Sequence, residues 1–345
     1  MRETPLPTPR RAGWRVPLAR AGVAVLRFTL RFSPRPMALV IRRQFAAGVA
    51  ARTAALDAQA PTDVVAVRDE RYGAGRDEVL DVYVPAPAAA AGARLPTVVW
   101  THGGAFVGGS KDELAGWFRT LAHAGVTVVA PRYSLAPEAR YPTPVRQLMA
   151  ALRHLQANAD RLHVDPARLV LAGDSAGAQI SAQVAALVTN PSYAELVGVA
   201  PAIAPEQLRG AALCCGIYDL SGLSEAPELQ SFLTTCGWSY SGTRDFRHDE
   251  RFITAVSVAR HLTAAFPPTF LTAGNADPLL PQSRALATTL QARGVAVETL
   301  FYPDDHQPPL PHEYQFDLDL ADGRAALRRL NRFFRRCTRD GAAPP

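Results

Sequence analysis

The sequence predicts an α/β fold: a mostly parallel sheet with helices on both faces. Three observations predict it. Strand-like and helix-like segments alternate from residue 97 to 336, the pattern of strands joined by helical crossovers. An apolar run, Leu169-Val170-Leu171-Ala172, enters Gly173-Asp174-Ser175-Ala176-Gly177, and an Ala-rich segment with helical spacing follows to Val188. A second apolar run, Thr97-Val98-Val99-Trp100, enters His102-Gly103-Gly104-Ala105. The chain has 345 residues, 48% of them apolar, enough for one large core and a small cap.

Taken in order, the chain opens on a basic segment. Residues 1–52 hold eleven arginines and one acid, Glu3, a charge of +10 in a chain of +6, so the remainder sums to −4. A helix over Val16 to Phe32 sets Arg20, Arg27 and Arg31 on one side, within about 40° of each other, with apolar residues around much of the rest. Two compatible readings follow. The segment caps the active site, or it lies on an anionic membrane surface. Arginines interrupt every apolar run well short of the ~20 residues a membrane span needs. Nucleic acid is disfavoured as a partner, because the basic residues flank apolar ones without a recognisable binding module.

Strands are expected near 64–68, 79–85, 97–102, 127–132, 169–174, 211–217, 268–274 and 296–302. Helices are expected near 112–124, 144–159, 176–189, 282–293 and 323–336. The alanine-rich stretch from Pro85 to Leu95 reads as a surface loop. Residues 220–262 break the pattern and are rich in Ser, Thr and aromatics, as expected of a cap-like insertion between two strands. Phe232, Trp238, Tyr240 and Phe246 are its candidate pocket residues. The domain division is therefore a cap segment over 1–60 and a catalytic domain over 61–345. The four cysteines, Cys214, Cys215, Cys236 and Cys337, have no zinc-like spacing. They read as buried thiols of a reducing, cytoplasmic compartment, and no metal or organic cofactor is expected.

The chemistry sits at the strand ends. G-x-S-x-G between a strand and a helix holds a serine on a strained turn with its hydroxyl exposed, and Gly173 and Gly177 let the two backbones cross closely. Acyl transfer develops negative charge on a carbonyl oxygen, which preorganised N–H groups stabilise. The glycines after His102 suit that task, with the N–H of Ala176 as a further donor. Asp277 follows the strand Thr269–Gly274 and is placed to orient a histidine. Both His306 and His312 lie in the region after the last strand where a general base belongs.

These motifs together resemble the hormone-sensitive-lipase-like family of carboxylesterases, which have the α/β-hydrolase fold. HGGAF, GDSAG, Asp277-Pro278-Leu279 and a late histidine carry the resemblance. Tyr133-Ser134-Leu135-Ala136-Pro137-Glu138 and Val164-Asp165-Pro166-Ala167-Arg168 add to it, and it covers about residues 64–336. The resemblance implies Ser175 as nucleophile, Asp277 as orienter, His312 as base, and Gly103, Gly104 and Ala176 as oxyanion donors. Members usually follow the histidine with glycine and an aromatic. His312-Glu313-Tyr314 keeps the aromatic and loses the glycine, whereas His306-Gln307-Pro308 keeps neither, so His312 is favoured and His306 is the alternative. The implied activity is hydrolysis of short- to medium-chain acyl esters through an acyl-enzyme, on a small-molecule substrate. A lipase or amidase on the same triad is the alternative, and a non-enzymatic ligand receptor on this fold is the contrary class.

Overall fold

The computed structural model describes residues 32–222 and 227–339. The expected helix over 16–32 therefore lies outside the described residues, apart from Phe32. Eight strands form one sheet: β1 (Val64–Arg71), β2 (Val79–Pro85), β3 (Leu95–Thr101), β4 (Thr127–Pro131), β5 (Val164–Asp174), β6 (Leu208–Cys214), β7 (Thr269–Ala273) and β8 (Val297–Phe301). Their order across the sheet is β1-β2-β4-β3-β5-β6-β7-β8. The first hairpin is antiparallel and β2 runs antiparallel to β4. All remaining pairs are parallel.

Helices cover both faces, as a parallel sheet requires. In chain order they are α1 (Arg35–Gln59), α2 (Ala86–Ala90), α3 (Ala115–His123), α4 (Thr143–Ala157), α5 (Ala176–Thr189), α6 (Pro191–Val197), α7 (Pro227–Ser241), α8 (Glu250–Val256), α9 (Leu280–Ala292) and α10 (Ala321–Cys337). One core unites α4 and α5 with one face of the sheet. A second unites Trp117, Phe118, Phe333 and Phe334 of α3 and α10 with Val98, Trp100 and Val170 on the other face. Every residue of α5 is buried, which explains its composition. A helix enclosed all round needs small apolar side chains to approach its neighbours.

The expected strands are all present, with shifted boundaries: β1 runs on to Arg71 and β5 begins at Val164 rather than 169. The sixth spans 208–214 rather than 211–217, because Cys215 turns to φ 45° and ends the extended run. The expected loop after Pro85 contains one helical turn, α2, started by Pro87 and carried by alanines. Residues 220–262 lie between β6 and β7 and form α7, α8 and short 3-10 turns. The parallel strands β3, β5 and β7 end on the same side of the sheet. The loops leaving those ends carry the residues singled out in the sequence, the usual placement in open α/β sheets.

Candidate active site

The chain reverses sharply between β5 and α5, and Ser175 sits at the corner with φ 51° and ψ −119°. A non-glycine residue in that region carries about 1–3 kcal/mol of strain, the kind of distortion that marks functional sites. The corner is held in place by close contact. Ser175 N–H donates to Cys214 O at 2.9 Å. A Cβ on Gly173 would stand 2.6 Å from both Thr101 O and the Gly177 carbonyl carbon, and one on Gly177 would strike the Thr101 and His102 carbonyls. No other residue fits either position, so the two glycines follow from the crossing of strand and helix.

Beyond β7, Gly274 lies against the Leu310 and Pro311 carbonyls. Asn275 Oδ1 accepts from Leu310 N–H at 2.8 Å. These contacts tie the end of β7 to the loop that follows β8. Asp277, 4% exposed, accepts from Leu279 N–H through Oδ1 at 2.8 Å and meets His312 Nδ1 through Oδ2 at 2.9 Å. Tyr314, the aromatic two residues on, is buried and shares a 2.5 Å hydrogen bond with Thr272 Oγ1, anchoring the histidine loop to β7. Burial opposes protonation of His312, but Cys215 and the Asp277 carboxylate outweigh it and hold the imidazole well above its usual pKa.

His306 goes elsewhere. Its Nε2 meets Asp322 of α10 at 3.1 Å, its ring lies against Tyr302, and it does not line the cavity that contains Ser175 and His312. The structure thus brings Ser175, Asp277 and His312 to one place and leaves His306 outside it.

The turn after β3 corrects one expectation. Gly103 was expected to give its N–H to an oxyanion, but that N–H donates to Asp174 Oδ2 at 2.8 Å. The buried Asp174 carboxyl oxygen already takes this amide and commits it. The N–H groups of Gly104 and Ala105 have no acceptor among the described residues. Ala176 opens α5, so its N–H has no intrahelical partner. All three residues line the cavity. Gly104 at φ 116° has no room for a Cβ, which would meet Gly108 O. Ala105 at φ 52° is a donor candidate that sequence reasoning passed over.

His102 braces this turn. Its ring stacks on Tyr133 with centroids 4.4 Å apart. Its Nδ1 lies 2.8 Å from Gly103 O, which places the proton on Nδ1. Burial lowers its pKa to about 4, so it is neutral in ordinary buffers. The Tyr133 hydroxyl donates to the His102 and Gly103 carbonyls at 3.1 and 3.3 Å. Drawing the Gly103 carbonyl to one side turns the Gly104 N–H of the same trans peptide to the other.

The cavity measures about 540 Å³. Phe45 and Val49 of α1 and Phe232, Leu233, Tyr240 and Phe246 of the insertion give it an apolar wall. Three of the four aromatics expected to line a pocket do so. Trp238 does not, and instead packs beneath the Arg244 guanidinium. Arg52, Glu113, Asp174 and Glu313 form a charged corner beside His312. No sequence motif marked Arg52, Glu113 or Glu313, and Asp174 was read only as the variable position of the pentapeptide. Among the described residues one group with metal-ligand chemistry occurs: Cys215, Asp277 and His312, with ligand atoms within 4.8 Å of each other. It is the Asp277–His312 pair with a fully buried thiol behind it.

Comparison with known proteins agrees with this architecture. A family described as alpha/beta hydrolase fold matches residues 98–307. The acetyl esterase of Salmonella paratyphi B is 29% identical over 260 residues, 72% of this chain and 73% of its own. That of Salmonella paratyphi A is 30% identical over 240 residues, 66% and 68% of the two chains. Esterase B of Lactobacillus rhamnosis superposes with a TM-score of 0.75 at 25% identity, over 88% of this chain and 96% of its own. An esterase of Pyrobaculum calidifontis shares the fold, with a TM-score of 0.68 at 24% identity over 86% and 92%. The strand order places the matched segment across the centre of the sheet, and the chain belongs to this family of alpha/beta hydrolases.

Proposed function

We propose that the protein is a serine carboxylesterase that cleaves short- to medium-chain acyl esters. The observation that carries the reading is the 2.9 Å contact of Asp277 with His312 Nδ1, at the wall of an apolar cavity that also contains Ser175. Asp277 holds the Nδ1 proton, which leaves Nε2 as the basic nitrogen. Ser175 Oγ attacks the ester carbonyl while Nε2 takes its proton. The carbonyl oxygen becomes an anion facing the N–H groups of Gly104, Ala105 and Ala176. His312 then protonates the leaving alcohol. A water molecule, activated by the same nitrogen, releases the acid from Ser175. The similarity to acetyl esterases supports a short acyl group.

Hydrolysis of nitrophenyl esters from acetate to palmitate, with Ser175→Ala alongside, tests the reading. Serine-dependent turnover that peaks at short chains is expected. Turnover rising toward palmitate would make it a lipase. Binding of an ester with no serine-dependent turnover would make it a receptor.

α1 and residues 220–262 together act as the cap in this reading, since both supply cavity wall. A second reading concerns the outer face of α1, where Leu39 is 54% and Val40 47% exposed beside the exposed Arg35 and Arg43. Apolar residues flanked by cations suit peripheral contact with an anionic membrane. Among the described residues no helix is long and apolar enough to cross one. Removal of residues 1–32 should weaken sedimentation with phosphatidylserine vesicles. Equal, negligible binding of both forms would leave only the cap role.

A further inference from the structure

Glu313 occupies a costly position. It follows the base directly and sits at φ 63°, ψ 27°, where a residue with a Cβ is disfavoured by roughly 1–2 kcal/mol. Its side chain is 16% exposed and aimed inward. Oε2 accepts from Arg52 of α1 at 2.5 Å, and Oε1 lies 3.9 Å from His312 Nε2. Arg52 is itself held over the Phe316 ring at 5.1 Å. On the other side the Glu313 carboxyl faces that of Asp174 across Gly103. Asp174 is 2% exposed and accepts from Trp100 Nε1 and Gly103 N, each at 2.8 Å. The space between the two acids is tight: a Cβ on Gly103 would meet both carboxyl groups.

Two buried carboxylates that face each other cannot both carry full charge cheaply. We propose that Asp174 and Glu313 share one proton and thereby clamp together three separate segments of the site: the turn at Gly103, the corner at Ser175 and the loop of His312. This inference rests on the proposed esterase reading for its catalytic consequence, though not for the existence of the shared proton. Glu313 and Asp174 are positioning residues here, acting through His312 and the Gly103–Ala105 turn.

The surroundings decide which acid holds the proton. Arg52 from α1 and the imidazolium form of His312 both favour charge on Glu313, and its pKa falls below the ordinary value despite burial. Asp174 has neutral donors, Trp100 and Gly103, and faces the Glu313 charge. Burial first, and that charge second, push it well above the ordinary carboxyl range. The remaining titratable groups near the pair are Glu113 in the 3-10 turn before α3, Tyr133 after β4 and Cys214 at the end of β6. Burial keeps Glu113 raised and holds Tyr133 and Cys214 in their neutral forms. Arg52 and protonated His312 are therefore the cations beside the pair, and Arg52 is the one that touches Glu313 directly. Once pH rises above the raised Asp174 value the shared proton leaves, the two carboxylates repel, and the clamp opens.

The experiment follows the Trp100 indole N–H by 15N NMR from pH 6 to 10, assigned with Trp100→Phe, beside kcat/KM for nitrophenyl acetate. In the wild type the indole signal and an alkaline fall in kcat/KM should titrate together, with one shared midpoint far above the ordinary carboxyl range. Glu313→Gln removes the second charge but keeps an amide able to donate to Asp174. It should abolish both transitions, leaving no alkaline fall in kcat/KM up to pH 9.5. Arg52→Met removes the cation and should move both transitions upward, the opposite direction from any general loosening. The indole reading applies even if esterase activity proves absent, so failure of the clamp and failure of the esterase reading are separable. An indole signal that does not titrate in the wild type, or titrates unchanged in both variants, overturns the proposal.

Discussion

Asp277 Oδ2 and His312 Nδ1 lie 2.9 Å apart, while the other Asp277 oxygen is taken by the Leu279 amide. The carboxylate therefore cannot rotate away from the imidazole without losing a backbone hydrogen bond. Asp277→Asn should keep the fold and present an amide N–H or a carbonyl to Nδ1, with the wrong tautomer favoured. The loss in kcat is expected at about 10³–10⁴-fold, the scale of the corresponding change in serine proteases. KM should change little, because Asp277 does not meet substrate. A loss below about 10-fold in steady-state kinetics would remove Asp277 from this role.

The two histidines separate by partner. His312→Ala should lower kcat by several orders of magnitude. His306→Ala breaks only the contact with Asp322 and the packing on Tyr302, and should cost about 2-fold or less in kcat with a small loss of stability. Reversal of these two results in the same assay would reassign the base.

The acid side of the pH profile follows from His312. The imidazole must be neutral to accept the Ser175 proton, and its pKa stands well above 6.5 in the folded protein. The raised value means that the protonated, inactive form persists as pH climbs past 6.5. kcat/KM should therefore rise with pH through a midpoint above 6.5. A midpoint below 6.5 would mean that burial outweighs the pull of Asp277 and Cys215.

Tyr133→Phe removes the hydroxyl that holds the His102 and Gly103 carbonyls. The ring stack with His102 remains. Loss of one buried hydroxyl with two acceptors should cost about 1 kcal/mol of stability by denaturant unfolding. A drop of about 10-fold in kcat, with KM unchanged, is expected from misdirected amides. An unchanged kcat would show that the glycines alone set the turn.

Phe232 of α7 meets Phe45 of α1 with ring centroids 6.1 Å apart, and both line the cavity. Phe232→Ala opens that wall. The preferred nitrophenyl ester should lengthen by about two carbons, since each additional buried methylene contributes about 0.8 kcal/mol. An unchanged optimum would place the acyl chain against another wall.

The sequence was most readable where geometry leaves one solution. The crossing of β5 and α5 over Thr101 admits only glycine at 173 and 177, so the serine corner is written in five consecutive residues. The strands were readable because a sheet covered on both faces needs short apolar runs. Arg52, Asp174 and Glu313 were not readable as a unit, because they come from three distant segments and meet only after the sheet has formed. Glu313 did leave a trace, as a carboxylate directly after the histidine where the family resemblance implies glycine. α1 escaped notice for a different reason. Its buried side is confined to Ala38, Ile41 and Leu56, too few to mark a face, and alanines fill much of the rest.

The apolar cavity wall comes largely from α1 and from the insertion between β6 and β7, whereas the reacting groups stand in the loops after β3, β5, β7 and β8. The two sets of residues meet in space and hardly share any stretch of chain. Mutations that reshape the wall can therefore accumulate without disturbing the corner at Ser175. A lineage built on this plan can change its diet while keeping its chemistry, with the ionic contact of Arg52 and Glu313 as the one place where a change in the wall is felt by the base.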